Sequence, residues 1–128
     1  MSLEAAQRLC DSIAKNALSG LTEMAREDYT LLKRLSAKHG GREDFALLLA
    51  HGAFVLAMAS DWDIAGGYIE DMENLRQRHP MSSEIAKKEI KALQYMLAAM
   101  DTLPKDALVD ETMDTIRNEI KRIEGCAP

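Results

Sequence analysis

Aromatic side chains are scarce in this chain of 128 residues: two Phe, three Tyr and one Trp, 5% of the total where hydrophobic residues make up 47%. A core with so few rings rests on Leu, Ala, Ile and eight Met. That mixture suits helix against helix and is poor in the β-branched and aromatic residues that sheets favour, so the expected class is all-α. Cysteine is nearly absent as well. Cys10 and Cys126 stand too far apart for a zinc spacing or a disulfide framework. Cys10 reads as a small core residue, and Cys126 as a free thiol in a tail that frays from about residue 125. The length is enough to bury a core without such staples. No linker or low-complexity segment divides it, so one helical domain over 1–128 is expected.

Positive charge is in deficit. The net charge is −5 and the pI near 5.2, which argues against a nucleic-acid partner, since phosphate binding needs a concentrated positive face. Lys33-Arg34, Arg76 to His79 and Lys121-Arg122 fall in the last turns of expected helices, where the helix dipole favours cations. Lys87-Lys88-Lys91 sits early in its helix and is the exception. Glu4 stands where an export signal would be basic, and no apolar stretch follows, so a cytoplasmic location is expected.

The sequence also lacks the usual catalytic and metal patterns. There is no Glu-x-x-His, Gly-x-Ser-x-Gly, P-loop or His-Glu-x-x-His. His39, His51 and His79 have no carboxylate or second His three or four positions away on the same helix face, so no metal site and no cofactor site is expected. His39 and His79 read as C-terminal caps, and His51 as a core histidine. Asp61-Trp62-Asp63-Ile64-Ala65-Gly66 begins like a calcium loop, yet its fifth position is Ala65 and its twelfth Met72, so the bidentate Glu is missing. Both aspartates read as helix caps. Glu70-Asp71-Glu73 and Asp110-Glu111-Asp114 lie on polar helix faces and read as solvated surface.

What is present centres on residues 45–79. Phe45 to Ser60 is sixteen residues without a formal charge, too long for one strand and rich in the helix formers Ala and Leu. As a helix it spans ~24 Å, short of a bilayer core of about 30 Å. It is expected to be a core helix, with Gly52-Ala53 as a crossing point. Ser60-Asp61-Trp62-Asp63 then turns the chain into an amphipathic helix closed by His79-Pro80. Trp62 is expected to be largely buried in that turn, and Gly66-Gly67 to pack closely on the preceding helix.

Around this pair the periodicity places four more helices, five or six in all. The first runs from about Leu3 to Ser19, with Ser2 as N-cap and Gly20 at its end. The second runs from the cap Thr22 to Gly40-Gly41, with Tyr29 at the edge of its apolar face. A fifth follows Ser82-Ser83 and shows two apolar faces, hence two neighbours. The sixth begins near Pro104 to Asp106. It carries Val109, Met113, Ile116, Ile120 and Ile123 as a narrow seam that either closes the domain or meets a second copy.

Aligned on Ala65, the turn Ser60-Asp61-Trp62-Asp63-Ile64-Ala65 resembles the interhelical turn of a tetratricopeptide repeat, and Leu49, Ala53, Leu56 and Ile69 fall on that repeat's core positions. Residues 46–79 are covered. Gly52 replaces a usual Leu, and Pro80 arrives three residues late. The resemblance implies antiparallel helical hairpins whose first helix lines a concave side. The family's groove positions then map onto Leu47, Ala50, Phe54, Ala57 and Met58. The function it implies is a non-catalytic protein–protein interaction module, adaptor or chaperone-like, that binds another polypeptide. The apolar seams of the fifth and sixth helices, more than a small monomer normally exposes, would form a homodimer if they pair with a second copy. A helical sensor for a small apolar ligand in a Met-lined interior is the alternative, and an enzyme of unrecognised type the third reading.

Overall fold

The computed structural model describes residues 2–126. The cap expected at Ser2 and the thiol expected at Cys126 fall outside the described side chains. Six helices follow one another: α1 Ser2–Leu18, α2 Thr22–Lys38, α3 Glu43–Met58, α4 Trp62–Arg78, α5 Ser83–Met100 and α6 Ala107–Cys126. No strand occurs among the described residues.

The helix ends follow from local chemistry. Gly20 and Gly40 take φ of 79° and 72°, the left-handed region that glycine enters at least cost. In each case the glycine N–H and the next N–H fold back on the last turn, Leu21 to Asn16 O at 2.8 Å and Gly41 to Ser36 O at 2.9 Å. This is a Schellman stop. The α1–α2 turn is so tight that Leu21 both completes that stop and opens α2, its carbonyl accepting from Ala25 N. Thr22 is therefore the first helical residue, not the cap. Ser82 Oγ accepts from Ile85 N, and Asp106 Oδ1 from Val109 N at 2.8 Å, as N-caps do. Asp61 stands at the N-cap of α4 without a side-chain bond, while Asp63 Oδ1 accepts from Ile64 N. His39 and His79 occupy C-caps. α6 continues through Gly125, where fraying is expected from sequence.

Each helix packs on the next in the chain, and α3 also touches α1 and α5. A single apolar cluster runs from Ala6 of α1 to Ile123 of α6, with α3 at its centre. Gly52 explains how. A Cβ there would lie 3.2 Å from Ile13 Cδ1 and 3.3 Å from Tyr29 Cδ1, so its bare backbone admits α1 and α2. The crossing is real, and its partners are α1 and α2. Tyr29, expected at an edge, fills the space and is buried.

Two further expectations are corrected. A Cβ at Gly66 would approach only Met96 of α5, at 3.9 Å, and one at Gly67 would meet nothing. The pair is not packed on α3. Trp62 keeps 40% of its surface, because it opens α4 a full turn before the first buried residue, Ala65, and an indole at a hairpin mouth has solvent on one side. The seam of α6 packs on α5, burying Met113, Ile116, Ile120 and Ile123. No described helix is long and apolar enough to cross a membrane.

Candidate functional site

α3 is so apolar that four neighbouring helices do not use it up. Ala46, Ala50, Ala53 and Ala57 recur at three and four positions and are completely enclosed. Leu47, Leu48, His51, Phe54, Val55 and Met58 form the opposite stripe and stay partly open, with Met58 at 40% exposure. Of the five residues mapped as groove positions, Leu47, Phe54 and Met58 thus lie on this outward stripe. Ala50 and Ala57 belong to the core instead, because they share the enclosed face with Ala46 and Ala53, where their missing bulk lets neighbouring helices close in.

The stripe is bordered on both sides. On the α1 side the buried Cys10 thiol donates to Leu48 O at 3.6 Å. On the α5 side Lys88 Nζ lies 3.3 Å from His51 Nδ1 and 5.5 Å over the Phe54 ring. An ammonium only donates, so Nδ1 must accept and the ring proton sits on Nε2 of a neutral imidazole. Burial and then the Lys88 charge lower the His51 pKa, opposed in part by Asp11 of α1. Burial, followed by Asp11, raises the Cys10 pKa, with Lys88 opposing. The thiol is held protonated, so it is poorly placed to act as a nucleophile. His51, read from sequence as a core histidine, stands instead within the open stripe.

A second feature lies between α2 and α4, which meet through side chains while their backbones stay apart. A cleft of about 720 Å³ is floored by Leu49 and Leu75 and rimmed by Lys33, Arg78 and His79. Tyr29 OH donates to Asp71 Oδ2 at 2.7 Å, and Lys33 Nζ lies 3.3 Å from the same oxygen. This latch ties α2 to α4. Burial first, then the bond to Asp71, pushes the Tyr29 phenol well above its usual range. Asp71 is a bridging carboxylate, not the solvated surface expected from its neighbours in sequence; Asp110, Glu111 and Asp114 are exposed as expected.

Nothing local marks the Tyr29–Asp71 pair, 42 positions apart. Glu89 is different. It lies on the buried stripe of Ile85, Ala86, Ala92 and Leu93, enclosed and bonded by Arg76 Nε, and its place on an apolar stripe was a readable signal. Among the described residues no three His, Cys, Asp or Glu side chains converge as a metal site. No protein-family model matches the chain, and neither curated proteins nor solved structures give a significant match.

Proposed function

We propose that the chain is a non-catalytic protein–protein interaction module that docks another polypeptide on the outward stripe of α3. The carrying observation is the stripe itself: Leu47, Phe54 and Met58 remain open on a helix that already touches α1, α2, α4 and α5. Rimmed apolar surface of this kind is where partners bind. The order of packing favours the repeat-like arrangement. Pairs α1·α2, α3·α4 and α5·α6 are joined by α1·α3, α3·α5, α2·α3 and α4·α5, the nearest-neighbour pattern of stacked helical hairpins. In such a stack the odd helices share one face, with α3 in the middle. The alternative of a small apolar ligand among methionines has less support, because Met72, Met100 and Met113 are packed in the core and neither described cleft is lined by Met.

Phe54→Asp tests the docking face. Phe54 is only half-buried, and Lys88 lies over it, so the new carboxylate has a cation and water at hand. The expected cost is no more than about 2 kcal/mol. A photo-reactive residue at Met58 should cross-link a polypeptide in cell extract, and Phe54→Asp should abolish that product while the helical circular dichroism persists. An unfolded variant would instead make Phe54 a core residue.

A further inference from the structure

We propose that the occupant of this face is an amphipathic helix carrying a row of acidic residues along the side that meets α5; this rests on the docking role of α3 and adds the chemistry of the partner. Three Lys or Arg side chains are half-buried among the described residues: Arg26, Arg76 and Lys88. Arg26 has Glu23 at 3.7 Å, and Arg76 has Glu89 and Glu119. Lys88 has no carboxylate within ion-pairing distance in the described structure, although the chain carries an excess of acidic residues. Its neighbours are a neutral imidazole nitrogen and the Phe54 ring.

A partly desolvated cation beside an apolar stripe lacks one thing, an anion on an apolar support. Lys91, exposed one turn further along α5, extends the positive border. Across the stripe stands Asp11 of α1, whose negative charge acts on His51 and Cys10. A carboxylate is repelled there and attracted at α5, which fixes the side on which the partner's acidic row must lie. The backbone of α3 is used up in its own helix, so an added strand finds no free ladder. Anchors at Leu47, Phe54 and Met58 lie about a turn or two apart, the spacing that a helix laid alongside can match.

The test uses the full chain and a synthetic amphipathic helix with Leu at heptad a and d positions and Glu along one flank, beside a counterpart with Lys for every Glu. In two-dimensional NMR the Glu peptide is expected to shift Leu47, Phe54 and Met58 and to bind at least about tenfold more tightly than the Lys peptide. Lys88→Glu should reverse the preference, and Lys88→Gln should level it, with both variants melting as the parent does. Equal binding of the two peptides on this face would overturn the acidic row while leaving the docking face standing. If neither peptide moves α3 resonances, both are overturned. Preferential occupation of the face by oligothymidylate or by phosphatidylserine vesicles would also overturn the assignment to a polypeptide.

Discussion

Glu89 is 1% exposed at its side chain and is bonded by Arg76 Nε, while Arg76 Nη2, buried without a hydrogen bond, lies 3.6 Å from Glu119 Oε1. Burial raises the Glu89 pKa, and Arg76 pulls it back. Removing the cation strands the carboxylate, so Arg76→Met is expected to cost about 3 kcal/mol near pH 7. In that variant the folded state keeps the Glu89 proton at pH values where the unfolded chain, with a pKa of about 4.3, releases it. Stability should therefore fall as pH rises through that window, and urea unfolding should show a smaller loss at pH 5 than at pH 7. An equal loss at both pH values would mean that Glu89 is not the group left unpaired. His51 has the opposite pH dependence, because its folded pKa is lowered: between that value and about 6.5 the unfolded chain binds the proton more readily. Its contribution is complete above 6.5 and fades as pH drops, and His51→Gln should flatten the stability profile between pH 5 and 7.

Among the elements, two glycines inside helices make opposite demands. Gly67 faces open space in α4, and a methyl there should gain helix propensity of about 1 kcal/mol. Gly52 has Ile13 and Tyr29 against it, the first fully enclosed and the second pinned by its bond to Asp71. Neither side chain is free to retreat, so Gly52→Ala should destabilise by about 1 kcal/mol or more despite the better propensity. Opposite shifts in the two thermal midpoints check the pair. The same contrast shows what periodicity reveals and what it hides. The six helices were legible because apolar spacing and glycine stops are local signals, and so was the crossing at Gly52. Which helices crossed there was not, since a bare backbone does not name its neighbour. The open stripe was legible in Leu47, Phe54 and Met58. Ala50 and Ala57 were assigned to it by resemblance, where burial follows from the actual neighbours. Lys88 beside His51 and Tyr29 beside Asp71 join distant segments, and no spacing along the chain encodes them.

Across the whole molecule, support is uneven. α3 packs on α1, α2, α4 and α5, whereas among the described residues the apolar seam of α6 packs on α5 alone. Beyond its seam, α6 reaches α4 through Glu119 and Arg76. Because α5 covers that seam, the apolar face that suggested a second copy from sequence is satisfied within one chain. The exposed apolar residues of the first two helices and their turn, Leu18, Leu21, Met24 and Leu31, lie elsewhere. A helix with one packing partner opens at lower cost than one enclosed by several, since the free energy of local opening rises with the apolar surface it bares to water. Native-state hydrogen exchange should therefore find α6 opening as a unit well below the global unfolding free energy, with α3 amides exchanging only on global unfolding. Ile116→Ala should lower the free energy of α6 opening and that of the global unfolding read at α3 by the same amount, about 2 kcal/mol or more, because both openings undo the seam that this buried Ile fills. If α6 and α3 instead exchange together, the six helices form one cooperative unit, and the proposed docking face on α3 cannot be probed separately from the α6 seam.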